Sequence, residues 1–211
     1  MTPTLRLTAL ISGGGRTVCN LQEAIIRGEV SAEIVTVIDS REDCDGIERA
    51  RSAGLDVQVP DSTNYDDDLA NLINASNPDV ICLCGYLRKL RLEPGWHERI
   101  INIHPALLPR HGGQGMYGER VHKAVLDAGD TFSGCTVHFV DEQYDHGPIL
   151  LQRACQVRVD DTTESLAARV FRDECIALPE AVGLLAENRV KVVDDHVEIQ
   201  PAITINLGDL S

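Results

Sequence analysis

The sequence predicts an α/β fold: a doubly wound, mostly parallel sheet, joined in its C-terminal part by antiparallel strands. Three observations carry this expectation. Short β-branched runs alternate with amphipathic helical stretches over about the first half of the chain, as parallel crossover units require. The first strand-like run leads straight into a glycine-rich turn that opens a helix. After Gly129 two longer strand-like runs follow with no helical stretch between them, which suits an antiparallel pair added to the sheet.

The elements follow in order. "LRLTALIS" from Leu5 is a strand, and "VCNLQEAIIRG" from Val18 a helix ended by Gly28. "AEIVTVID", Ala32 to Asp39, is the second strand, and "DGIERARSAG" the helix after it. "VQVP" is short and extended, "DDDLANLINAS" helical, and "DVICLCG" an apolar strand covered on both faces, with Cys82 and Cys84 on one side of it. A basic connection, "YLRKLRLEPG", leads to the strand "RIINI", and "YGERVHKAVLDAG" is a helix closed by Gly129. "SGCTVHFV" and "ILLQRACQVRV" form the antiparallel pair. A long helix from Thr162 to Asn188 is expected to bend or break at Pro179, and "VKVVDDHVEIQ" forms a small hairpin.

Composition narrows the classes. The 211 residues suffice for one α/β domain with a buried core. With 33 acidic against 19 basic side chains and a net charge of −14, a nucleic-acid surface is not expected, although a local anion site is compatible with that balance. The seven cysteines lie in apolar segments without a CxxC pair, and no His/Asp/Glu set has ligand spacing, so neither a disulfide framework nor a metal is expected. No run approaches the roughly 18 apolar residues of a membrane span and no signal peptide is evident, so the expected location is the cytoplasm.

Two stretches carry chemistry. "ISGGGRT" places Ser12, Gly13, Gly14 and Gly15 between a strand and a helix N-terminus, where backbone N–H groups and the helix dipole favour an anion and glycine lets it come close. Val18 stands where the third glycine of GxGxxG belongs, so a single phosphate is favoured over a dinucleotide. Asp39 at the end of the second strand nevertheless keeps a nicotinamide dehydrogenase as a rival, and a tight turn without ligand is the plain alternative.

The second stretch is "INIHPALLPR". It brings Asn102 and His104, two apart on one strand, to the carboxyl edge of the sheet, beside a loop stiffened by Pro105 and Pro109. An amide and an imidazole facing one carbonyl oxygen suit acyl transfer, where a developing oxyanion takes hydrogen bonds from prepositioned donors. A protonated His104 needs an acidic neighbour, and Asp145 in "QYDHGPI", aimed by the turn at Gly147-Pro148, is the candidate, expected to raise the histidine pKa. The alternative for "DEQYD" is a solvated acidic loop. No GxSxG serine or nucleophilic cysteine accompanies the pair, so attack is expected to be direct. His122 and His138 are read as packed or surface residues.

"ISGGG", "NIHPALLP", "SGCTVHFVDEQYDHGPILLQ" and "ESLAARVFRDE", in this order, resemble the folate-dependent formyltransferases over about Leu5 to Val193. The resemblance implies the Rossmann-like formyltransferase fold in a single domain over 1–211. Residues 1–100 would form the phosphate- and ribonucleotide-binding half, 101–193 the catalytic and folate-binding half, and 194–211 a tail. It implies 10-formyltetrahydrofolate as co-substrate, glycinamide ribonucleotide as acceptor, no metal, small-molecule partners only, and a monomer or homodimer. Asn102, His104 and Asp145 match the family's catalytic residues, Ser12 to Gly15 its phosphate site, and Glu174 its contact to the acceptor. Leu87, Arg88, Lys89, Leu90, Asn102, Asp141, Glu142, Gln143, Tyr144 and Asp145 match its folate pocket. The glycine loop is longer than the family's common form, with Arg16 at hand as a cation, and "HGGQGMYG", 111–118, departs from the usual segment. Within the family the alternatives are a formyltetrahydrofolate hydrolase and transferases acting on another amine; a folate-binding domain without turnover is a further rival.

Overall fold

A computed structural model describes residues 4–201 of the chain. The elements are β1 (Leu5–Ile11), α1 (Arg16–Ile26), β2 (Ala32–Asp39), α2 (Asp45–Ser52), β3 (Val57–Gln58), α3 (Tyr65–Ser76), β4 (Val80–Leu83), β5 (Ile100–His104), α4 (Glu119–Asp127), β6 (Phe132–Phe139), β7 (Ile149–Gln156), α5 (Thr163–Ala186), β8 (Val190–Val193) and β9 (His196–Ile199). Seven strands form one sheet in the order β3-β2-β1-β4-β5-β6-β7, and β8-β9 form a separate hairpin. The α/β class expected from the sequence is the one observed. Of the proposed tail, residues 202–211 lie outside the described part.

β1 to β5 pair in parallel, while β6 is antiparallel to both β5 and β7. The expected antiparallel pair is thus observed as β6 and β7, with β6 the strand reversed against β5 and β7 running the same way as β5. The cause lies in residues 105–131: His104 faces Thr136 and Ile101 faces Phe139, so the chain re-enters the sheet from the edge it left.

Alternation along the strands divides the core. Leu7, Ala9 and Ile11 of β1, with Cys82 and Cys84, pack toward α1, α2 and α5. Leu10, Ile81 and Leu83 pack toward α3 with Ile73 and Trp96. The two thiols thus share one face as small hydrophobes.

α5 runs unbroken for 24 residues through Pro179, so the break expected there is not observed. A proline removes the hydrogen bond to the carbonyl four residues earlier. That carbonyl, Cys175 O, instead accepts the Asn20 amide of α1 at 2.9 Å. At its start Thr162 and Ser165 form a reciprocal capping box.

The strand order reverses between β1 and β4, and the carboxyl ends of β1, β4 and β5 open onto one crevice. Open α/β sheets bind ligands at such a switch point.

Candidate active site

The β5–β6 ladder builds the floor. Its register sets Asn102 opposite His138 and His104 opposite Thr136. Thr136, fully buried, holds the proline segment: its hydroxyl donates to Ala106 O at 2.7 Å and accepts from Leu108 N at 3.1 Å, and Gln152 bonds both Thr136 and Leu108 O. The polar end of β5 and the stiff loop after it are thus one tied unit.

His104 is buried, with Nε2 at 2.8 Å from the His111 carbonyl and Nδ1 at 3.5 Å from Asp145 Oδ2. A carbonyl only accepts, so Nε2 carries hydrogen and Nδ1 is the nitrogen whose protonation changes. Asn102 Nδ2 lies 3.1 Å from His138 Nε2 and 3.4 Å from Asp145 Oδ1. The second contact is long and leaves that amide hydrogen available to a stronger acceptor.

Asp145 adopts φ 53°, a left-handed conformation uncommon for a residue with a side chain. Gly147 makes the turn possible, since a Cβ there would lie 2.1 Å from Phe139 O. Gly113 N donates to Asp145 Oδ2 at 2.9 Å. Burial pushes the Asp145 carboxyl up, but the His138 contact, the charge of His104 and the Gly113 N–H outweigh it, and the net shift is downward. His104 shows the opposite balance. Burial lowers it more than Asp145 and the His111 carbonyl raise it. Asp145 acts on the histidine in the expected upward direction, but in the ligand-free protein desolvation outweighs it.

Two cavities meet at this floor, sharing Tyr86, Asn102, Tyr144 and Asp145. The narrower, about 80 Å³, is lined by Leu83, Arg88, Lys89, Leu90, His138, Val140 and residues 141–145. The wider, about 410 Å³, runs from His104 past Gly113–Gly118 and Arg120 to Thr17 and Glu174. The folate-pocket residues expected from the sequence gather in the narrow arm, except Leu87, which lines the wide one.

Glu174 projects from α5 into the wide arm. Burial raises its carboxyl to about 7 against the pull of Arg16, whose guanidinium stacks on Phe171 at 3.9 Å. The glycine loop lies behind Thr17. Ser12 is buried and committed to the scaffold, its hydroxyl accepting from Ser40 at 2.8 Å and from Leu87 N at 3.0 Å. Close packing on α2 constrains Gly15 and Gly46: Gly15 has φ 66° and a Cβ there would lie 3.0 Å from Gly46 Cα, a Cβ on Gly46 would lie 2.2 Å from Gly13 O, and a Cβ on Gly13 would meet nothing within 4 Å. Asp39 is fully buried, one carboxylate oxygen without a partner, and presents nothing to a ribose.

Sequence reasoning read His138 as a packed or surface residue, and it is packed, but gave neither it nor His111 a part in the site. His138 donates from Nδ1 to Phe139 O at 2.8 Å, which leaves Nε2 facing Asn102 Nδ2 at 3.1 Å and Asp145 Oδ1 at 3.7 Å. Laying "NIH" antiparallel against "TVH" would have set it opposite Asn102. The buried sheet thiols of Cys82 and Cys135 are pushed up to about 12 by burial and stay protonated, which suits attack without a covalent enzyme intermediate.

An amide donor, an imidazole and a carboxylate converge at the carboxyl edge of a doubly wound sheet, an arrangement able to stabilise the oxyanion of an acyl transfer. The chain belongs to the formyl transferase family, whose model matches residues 5–182. It is 39% identical over 203 residues to the chloroplastic phosphoribosylglycinamide formyltransferase of Arabidopsis thaliana, covering 92% of this chain and 70% of that protein. It is 38% identical to the trifunctional purine biosynthetic protein adenosine-3 of Drosophila pseudoobscura pseudoobscura, covering 92% of this chain and 14% of that protein. Glycinamide ribonucleotide transformylase 1 of Symbiobacterium toebii superposes with a TM-score of 0.86 at 36% identity, covering 95% of this chain and 96% of that one.

Proposed function

We propose that this chain transfers a formyl group from 10-formyltetrahydrofolate to the amine of glycinamide ribonucleotide, a step of purine synthesis. The observation that carries the reading is the two-armed cleft with Asn102, His104 and Asp145 where the arms meet. The named activities of the relatives support it. The narrow arm takes the pterin of the donor, held by Arg88 to Leu90 and the loop Asp141 to Asp145. The wide arm takes the acceptor, with its phosphate toward Ser12 to Gly15 and Thr17, and Glu174 beside its polar groups. The Ser12 oxygen accepts from Ser40 and Leu87 N, which fixes the hydroxyl in place, and the loop meets a phosphate with its backbone N–H groups and the remaining Ser12 O–H.

In the reaction the neutral amine attacks the formyl carbon, and the carbonyl oxygen becomes an oxyanion between Asn102 Nδ2 and His104 Nδ1. Charge on that oxygen offsets the desolvation that lowers His104 and favours its protonated form there. Asp145, held ionised by its neighbours, takes the proton leaving the amine and passes it toward the folate nitrogen as the old C–N bond breaks. Each oxyanion donor contributes on the order of 2.7–4 kcal/mol to lowering the barrier.

The second reading is hydrolysis of the same donor. It would leave the wide arm with Glu174 and Thr17 without use, since water needs no such space. Donor consumption with and without glycinamide ribonucleotide separates the two. Acceptor-dependent consumption supports transfer, and equal rates support hydrolysis. We assign the halves 1–100 and 101–193 to acceptor phosphate and to catalysis with folate, respectively. We place the protein in the cytoplasm, as a monomer or homodimer without nucleic-acid partners, on its acidic charge and its free thiols. No helix among the described residues is long and apolar enough to cross a membrane.

A further inference from the structure

The segment after Pro109 ties both reacting groups to one anchor outside the cleft. His111 O accepts from His104 Nε2 at 2.8 Å, and two residues on, Gly113 N donates to Asp145 Oδ2 at 2.9 Å. The first bond decides which His104 nitrogen carries the fixed hydrogen. His111 itself has φ 55°, a left-handed conformation that a side-chain-bearing residue keeps only when its surroundings hold it. Its own imidazole supplies the hold: Nε2 lies 2.7 Å from Asp130 Oδ2, while Arg110 Nη2 donates to the other oxygen at 2.6 Å. The His111 and Asp130 side chains are 14% and 20% exposed, so the contact is shielded in a way a surface ion pair is not. Asp130 is fixed in turn by the end of α4, its N–H donating to Val125 O at 3.3 Å.

We propose that Asp130 and His111 are a positioning pair that sets the tautomer of His104, by holding the His111 carbonyl on Nε2. The pair lines a separate cavity with Leu107 and Phe132 and acts on the reaction only through His104. With the carbonyl in place, Nδ1 is the nitrogen presented to Asp145 and to the oxyanion. With the carbonyl displaced, the neutral ring is free to place its hydrogen on either nitrogen, and the ring that takes up a second proton at the oxyanion is no longer held with Nδ1 facing it. The catalytic half of this inference rests on the role given to His104 under the proposed function.

The test compares wild type with His111→Ala, Asp130→Asn and His111→Gln, the last keeping an N–H for Asp130. It reads kcat, both KM values, and the ¹⁵N shifts of the His104 ring in the ligand-free protein. In His111→Ala and Asp130→Asn, kcat is expected to fall about ten- to a hundredfold, the scale of a misplaced catalytic group, with each KM within about twofold. The His104 shifts are expected to move from the Nε2–H tautomer to a mixture, and His111→Gln to restore most of both. Asp130→Asn keeps the side-chain volume and decides the matter if His111→Ala does not fold. An unchanged Nε2–H tautomer in the variants overturns the proposal, as does a mixed tautomer with full kcat. A wild type that transfers no formyl group contradicts the proposed function instead, and the shifts still decide the positioning claim.

Discussion

Nε2 of His138 stands 3.1 Å from Nδ2 of Asn102 across the β5–β6 ladder. Because Nδ1 of His138 donates to Phe139 O, Nε2 is the ring nitrogen held against the Asn102 amide, whose Nδ2 stays 3.4 Å from Asp145 Oδ1. His138→Ala releases that orientation. We expect kcat at saturating substrates to fall about tenfold or more. A variant with wild-type turnover would show that the amide is oriented by other contacts.

Asn102→Ala removes an oxyanion donor at the point the two arms share. The expected loss in kcat is on the order of 10²–10³. A change confined to KM, measured by steady-state kinetics with each substrate varied, would contradict the role.

The Glu174 carboxyl, raised to about 7 by burial, is ionised above that pH and neutral below it. If the charged form holds the acceptor, the KM for glycinamide ribonucleotide rises as pH falls through about 7, while that of the donor stays level. Glu174→Gln should have a high acceptor KM at every pH and no such step. A step that survives the substitution assigns it elsewhere.

Gly46→Ala sets a Cβ 2.2 Å from Gly13 O and 3.0 Å from Ile11 Cδ1. Backbone cannot yield as a side chain would, so the glycine loop shifts. The expected cost is about 1–3 kcal/mol by thermal or urea unfolding, accompanied by a raised acceptor KM. Unchanged stability would mean the loop is looser than its packing suggests.

Asp161 anchors the start of α5. It accepts from Arg169 Nη1 at 2.5 Å, Arg169 Nη2 at 2.8 Å, Ser165 Oγ at 2.7 Å and Arg158 N at 2.8 Å. The Arg169 bonds above all hold its carboxyl well below the usual range. A carboxyl lowered on folding stabilises the fold above its unfolded pKa, about 3.9, and that contribution fades as pH falls toward the folded value. Asp161→Asn is expected to cost about 1.5–3 kcal/mol at neutral pH and to flatten the acid side of the stability curve. Parallel acid limbs for the two proteins would contradict it.

Much of this was legible in the sequence because burial on both faces leaves an apolar run that alternation alone can bound; β2 is observed from Ala32 to Asp39, as read. Asn102 and His104 were legible because a strand carries residues two apart to one face. The lone reversal of β6 was not, since it depends on where the irregular segment 105–118 returns the chain. The roles of His138 and His111 depend on strand register and on a backbone carbonyl, neither of which a residue pattern encodes. The uninterrupted α5 depends on Asn20, 155 positions from Cys175 in sequence. Asp145's upward pull on His104 was legible, while the burial that outweighs it was not, because depth of burial is not visible in the sequence.

The most direct test of the central claim follows an isotopically labelled formyl group from 10-formyltetrahydrofolate in the presence of glycinamide ribonucleotide, with wild type and His104→Ala side by side. The account expects label on the ribonucleotide amine with wild type, and its appearance slowed at least about a hundredfold in the variant. Label released as formate at the same rate with or without the ribonucleotide, or transfer undiminished in His104→Ala, would contradict it.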